Sequence, residues 1–178
     1  IRRVLNRSRK LKEQLGNRLD SQITQSLRPS LPDRLGSFHI RTRTLSASAG
    51  GGDFILHRTT QRGDMVLLGD IMGHGEEAKF FSHVYAGYLL GMMENLTEGA
   101  GPSDTLHSLS RTLEGNSILA STLVTCLAIL FKPDGSMVLA SAGHPSPVIV
   151  SKKGIETLDV GGALPGLITD SHYEERKV

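Results

Sequence analysis

The chain has 178 residues, enough for one domain with a real core and too few for two complete ones. A hydrophobic fraction of 38% and a charged fraction of 21% are those of an ordinary globular protein, and the 4% aromatic content, without any Trp, excludes a base-stacking platform for single-stranded nucleic acid. The net charge of +2 hides an asymmetry, because residues 1–43 carry +8 and residues 44–178 carry −6, and the acidic remainder connects more readily with bound cations than with nucleic acid.

At the amino-terminal end, Leu11, Leu15, Leu19, Ile23 and Leu27 recur every four residues, with Val4 seven before Leu11. That spacing predicts a helix, broken before Pro29 and Pro32. Its basic face suits phosphates or an anionic membrane surface, and equally a solvated helix surface. The apolar stripe suits a second copy of the helix or the domain that follows, so a homodimer through this helix stays open. No apolar run approaches the ~20 residues of a membrane helix, so no membrane insertion is expected. The first residue is Ile rather than Met and no signal peptide precedes it, so the expectation is a segment of a longer protein.

From Phe38 the pattern changes. Phe38–Thr44 alternates like a strand, and Phe54–Arg58 and Met65–Gly69 are two further short strands joined by the turn Gln61-Arg62-Gly63-Asp64. Ala78–Leu96 and Pro102–Glu114 have helical length and spacing, the second with Pro in its first turn. Strands then return at Thr122–Phe131, Met137–Ser141, Pro147–Ser151 and Ile155–Val160, separated by turns at Lys132-Pro133-Asp134-Gly135 and Lys152-Lys153-Gly154. The single cysteine, Cys126, lies in an apolar run, which excludes an internal disulfide and fits a reducing, cytoplasmic setting. Hairpins around a central helical pair imply an α+β fold, an antiparallel sheet system with helices packed on it.

Three glycine-rich clusters stand at predicted strand ends: Ala49-Gly50-Gly51-Gly52-Asp53-Phe54, Gly69-Asp70-Ile71-Met72-Gly73-His74-Gly75 and Ser141-Ala142-Gly143-His144-Pro145-Ser146-Pro147. Taken singly, each reads as a tight turn. Together they say more. Asp53 begins one strand of the predicted hairpin and Asp70 ends the next, which sets two carboxylates side by side. Such a pair repels unless a cation lies between, and oxygen donors select Mg²⁺ or Mn²⁺ over zinc. The glycines after Asp70 allow a backbone carbonyl, such as that of Ile71, to turn toward the ion. Asp64 and Asp134 fall in turns and receive no role.

Ser48–Phe54, Gly69–Ala78, Ala142–Pro147 and Gly161–Leu167 resemble, in order, the motifs of the PPM family of metal-dependent protein phosphatases, in its bacterial SpoIIE-like branch. The resemblance covers about residues 22–178 and includes the Leu27–Pro32 run-in. It implies an antiparallel β-sandwich flanked by helices, with residues 1–30 a basic linker or regulatory helix and 31–178 the phosphatase domain. Asp70 resembles the aspartate that bridges two metal ions, Ile71 the donor of a backbone carbonyl, and Asp53 the acid that holds metal-bound water. His144 matches the histidine of the Ala-Gly-His loop, a substrate or loop residue. Gly73 and His74 are further candidate substrate or loop residues, with His74 on the rim rather than a ligand. Ile55 and Leu56 depart from the aromatic and acid common after the Gly-Asp-Phe step. Two more metal-binding aspartates are expected downstream of Tyr173-Glu174-Glu175, in a carboxy-terminal part beyond Val178.

The implied activity is two-metal hydrolysis, with Mn²⁺ or Mg²⁺, of phosphoserine or phosphothreonine on a partner protein. By analogy that partner is a phosphorylated anti-anti-sigma protein of the STAS type. The alternative is a non-catalytic relative that binds such a partner without turnover. Gly51-Gly52-Asp53-Phe54 also resembles a diguanylate cyclase signature superficially. That signature needs a second acid where Phe54 stands.

Overall fold

The computed structural model describes residues 10–12, 14, 16, 31–43 and 52–178. Of the expected amino-terminal helix, Lys10, Leu11, Lys12, Gln14 and Gly16 are helical and exposed, and the rest of its stripe lies outside the described residues. The strands are β1 (Arg34–Leu35), β2 (Phe38–His39), β3 (Phe54–Thr60), β4 (Gly63–Ile71), β5 (Val124–Phe131), β6 (Met137–Ala142), β7 (Val148–Ser151), β8 (Gly154–Thr157) and β9 (Arg176–Lys177). Two helices, α1 (Gly75–Glu94) and α2 (Pro102–Gly115), fall between β4 and β5. The centre is an antiparallel sheet in the order β3-β4-β5-β6-β9.

Alternation along these strands sorts side chains onto two faces. Phe54 and Leu56 of β3, Met65 and Leu67 of β4, and Cys126, Ala128 and Leu130 of β5 join one core with the helices. α1 supplies Ala78, Phe81, Tyr85, Leu89 and Met93 to it, and α2 supplies Leu106, Leu109 and Leu113, each at helical spacing. The opposite face carries Leu127 and Leu139, covered by Leu158 and Val160, with Ile149 of β7 packed against them. The β7–β8 hairpin thus begins a second layer, and the architecture is a sandwich of antiparallel sheets with helices outside.

Several elements differ in extent from their expected bounds. Among the described residues, the strand expected over Phe38–Thr44 is paired only at Phe38–His39, opposite the two-residue β1, and Ile40 N–H closes the pair on the Asp33 carbonyl at 2.9 Å. The β3–β4 turn needs only Gln61 and Arg62, since Thr60 pairs with Gly63, so Asp64 is a strand residue rather than a turn residue. The strand expected to reach Val160 ends at Thr157, and Leu158 and Val160 continue as a buried strap.

Asp64 fastens the β1–β2 hairpin to the sheet. Its carboxylate accepts hydrogen bonds from Thr59 Oγ1 at 2.8 Å and from the Gly36 amide at 3.1 Å, and His57 Nε2 lies 3.0 Å away. Partial burial opposes ionisation, yet the bonds to His57, Thr59 and Gly36 prevail and hold its pKa below the ordinary carboxylate range. Its contribution to stability is therefore present above the unfolded pKa and lost as pH falls through the folded one. Asp64→Ala should lower stability at neutral pH by about 2 kcal/mol, some 4–8 °C in melting temperature. Thermal melts at pH 7 and near pH 3 check this, because the gap to wild type should narrow in acid.

Candidate active site

The β3–β4 ladder pairs Phe54 with Gly69, and its register continues outward, since Ile71 N–H donates to the Gly52 carbonyl at 3.3 Å. Asp53 thereby stands directly opposite Asp70. On its other side Asp70 pairs with Thr125 of β5. Residues directly opposite across a sheet share a face, so Asp53, Asp70 and Thr125 form one polar row at the end of the sheet. The row lies on the face away from the helices.

His144 completes it. The loop after β6 carries its ring back over β5, where Nδ1 lies 2.8 Å from Thr125 Oγ1. Gly143, with φ 69°, makes the turn that returns the chain, and Cys126 and Gly143 form a bridge beside it.

Asp70 holds its proton more tightly than an ordinary aspartate. Partial withdrawal from water is the main cause, and the charge of Asp53, whose carboxyl is within hydrogen-bonding reach, adds to it. Burial pushes the pKa of His144 down, partly opposed by the negative charge of Asp53. Two adjoining carboxylates are a fitting seat for a hard divalent cation.

The backbone agrees with that reading of the donor set. Alternation along β4 turns the Ile71 amide and carbonyl toward β3, and a Cβ built on Gly52 would lie 2.6 Å from the Ile71 oxygen. Residue 52 must be glycine for that carbonyl to keep its place. Were a cation held there, Gly52→Ala should weaken Mn²⁺ binding about tenfold, the scale of a lost supporting contact at a metal site. A metal titration of the variant, with far-ultraviolet circular dichroism to confirm folding, checks it. The donors are all oxygen and suit Mg²⁺ or Mn²⁺. They are a partial set, since no group of three His, Cys, Asp or Glu capable of holding a metal occurs among the described residues.

Gly73 and His74 lie exposed between β4 and α1, with His74 at the helix N-cap and both Gly73 and Gly75 at positive φ. With Met72, Glu77, Ala120 and Thr122 they line a pocket of about 280 Å³ between the end of β4, the start of α1 and the residues before β5. The sequence expects Asp53 beside Asp70, and the structure sets them opposite each other, with His144 held on the adjoining Thr125 and His74 lining the pocket. It misses Thr125. The available signal is a lone polar residue at the site end of an otherwise apolar strand. Cys126 is fully buried and its thiol is pushed up to about 12 by that burial, so it is no nucleophile.

Comparison with known proteins agrees with this architecture. The SpoIIE (stage II sporulation protein E) family profile matches residues 60–178. Among curated proteins, none matches by sequence. The SiaA-PP2C domain of Pseudomonas aeruginosa superposes with a TM-score of 0.68 at 14% identity, over 94% of this chain and 68% of that one. The RsbU and RsbW domains of a Mycobacterium tuberculosis protein give 0.60 at 21% identity, over 75% of this chain and 37% of that one. The PP2C phosphatase domain of SpoIIE from Bacillus subtilis, solved with a fragment of its regulatory domain, gives 0.57 at 16% identity, over 74% and 38%. The chain thus spans little more than a third of two of these structures. Since the family profile covers more than half of its length and the fold is that of the PPM/PP2C phosphatase domains, the chain belongs to the SpoIIE family.

Proposed function

We propose that this chain carries the catalytic face of a protein phosphatase that removes phosphate from phosphoserine or phosphothreonine on a regulatory partner, a phosphorylated STAS-type anti-anti-sigma protein. The observation that carries the reading is the pairing of Asp53 and Asp70 across β3 and β4, with the Asp70 proton held by partial burial and then by its neighbour's charge. Asp70 and the Ile71 carbonyl would hold two Mn²⁺ or Mg²⁺ ions, and Asp53 would act on them through water. Bound there, the ions supply Lewis-acid activation of water and of the phosphoryl group.

The chain itself does the positioning. The β3–β4 ladder fixes the separation of the two acids, and Phe54 and Gly69 anchor that ladder in the core. The pocket beside Met72 and His74 receives residues flanking the phosphorylated side chain. Residues 1–30, most of which lie outside the described residues, would serve as the regulatory segment, open to pairing with a second copy, and residues 31–178 would belong to the phosphatase domain. The setting is cytoplasmic. Among the described residues no helix is long and apolar enough to cross a membrane. The partner assignment draws support from the RsbU and RsbW domains that share one chain in the mycobacterial neighbour.

The incomplete carboxylate set favours one second reading, a domain that binds a phosphoprotein without turnover. One experiment separates the two. Full-length protein with Mn²⁺ should release inorganic phosphate from a phosphoserine STAS protein and leave a phosphotyrosine peptide intact. Retained binding of the phosphoprotein without release would establish the second reading.

A further inference from the structure

His144 is held more firmly than a surface loop residue needs to be. Its ring nitrogen Nδ1 meets Thr125 Oγ1 at 2.8 Å, and its backbone carbonyl accepts from Ser141 Oγ at 3.2 Å. Gly143 turns the loop at φ 69°, where a Cβ would press on Leu164 Cδ2 at 2.5 Å. Thr125 in turn is fixed by the β4–β5 ladder opposite Asp70. Ring, backbone and loop are thus each tethered, and the tethers converge on a half-buried imidazole beside the carboxylate row.

The second ring nitrogen, Nε2, has no hydrogen-bond partner among the described residues, although Asp53 is near enough to act on the ring through its charge. A neutral imidazole beside a carboxylate places its N–H, rather than its lone pair, on the side facing the negative charge. The Thr125 hydroxyl then donates to Nδ1, and Nε2–H is the free donor. The ring is held on Thr125, which stands opposite Asp70 across β4 and β5. A group held in this way serves a third partner rich in acceptor oxygens. Cations seated on Asp53 and Asp70 would draw an anion to the same place, and a phosphomonoester has more terminal oxygens than two cations need.

We propose that His144 Nε2–H donates to a terminal phosphoryl oxygen of the bound phosphomonoester and of inorganic phosphate, with Thr125 as the positioning residue that fixes its tautomer. The proposal rests on the phosphatase reading for its substrate, and its test does not need turnover. In full-length protein loaded with Mg²⁺, titration with inorganic phosphate should shift the His144 Nε2 nitrogen resonance more than those of the other histidines. An unmoved resonance at saturating phosphate overturns the proposal, whether or not the protein turns over.

Where turnover is present, His144→Ala should raise both the inhibition constant for phosphate and KM about tenfold, the effect of one hydrogen bond to a charged group, with kcat changed less. His144→Gln, which returns an N–H near the Nε2 position, should recover part of the loss. Thr125→Val should raise the phosphate inhibition constant about threefold, and Thr125→Ser should restore it. Unchanged phosphate inhibition in both His144→Ala and Thr125→Val, each folded by circular dichroism, would also overturn the proposal.

Discussion

Asp70→Asn is expected to abolish turnover while making the metal-free protein slightly more stable. The carboxylate is the one most central to the proposed cation site, and its loss removes several kcal/mol of transition-state stabilisation, roughly a thousandfold or more in rate. The stability change has the opposite sign. Partial burial and the charge of Asp53 raise the folded-state pKa of Asp70. A raised carboxylate pKa favours folding of the protonated form, so its contribution is full below the unfolded pKa and is lost as pH rises through the folded one. At neutral pH without metal, the pair therefore works against the fold. Because the side chain is largely exposed, solvent screening limits the gain from Asn to about 0.5 kcal/mol, or 1–2 °C. Melts of both proteins in chelator and in Mg²⁺ check this. Wild type should lose its deficit when Mg²⁺ is added, whereas the variant should barely respond. Protons and cations compete for Asp70, so wild-type Mg²⁺ affinity should also climb with pH through the raised pKa.

The second large effect is expected behind the acids. Phe54 follows Asp53 and lies across Gly69, which precedes Asp70, and a Cβ at residue 69 would collide with the ring. This aromatic–glycine pair supports both carboxylates from the core side. Phe54→Ala should cost about 3–5 kcal/mol, since it removes a buried ring from the main core and leaves a cavity beneath the site. Gly69→Ala should cost about 1–3 kcal/mol by forcing that ring aside. Denaturant unfolding measures both. If the pair supports the site as well as the fold, the folded fraction of each variant should also need more Mn²⁺ for half-maximal turnover. Normal metal dependence in both variants would confine the pair to a packing role.

Sequence pattern carries much of this fold because local and long-range signals agree. Alternation from Phe54 and from Met65, with a turn between, fixes the hairpin, and the hairpin fixes Asp53 beside Asp70. Helical spacing finds α1 and α2 to within a few residues. The failures have physical causes. Phe38–Thr44 alternates like a strand, but a strand needs a partner, and among the described residues only Arg34 and Leu35 pair with it. Asp64 has the composition of a turn, yet a two-residue loop leaves it in the ladder, where it meets His57 and Gly36. Neither contact is visible in local composition. Thr125 escapes notice for the same reason, since its importance comes from register opposite Asp70 and from a loop residue 19 positions away.

The most direct test of the central claim is hydrolysis of p-nitrophenyl phosphate by the full-length protein, with Mn²⁺ and with chelator, beside Asp70→Ala. The account predicts turnover that requires the ion and vanishes in the variant. Equal turnover in the variant would remove Asp70 from the chemistry, and no turnover with either Mn²⁺ or Mg²⁺ would contradict the phosphatase assignment itself.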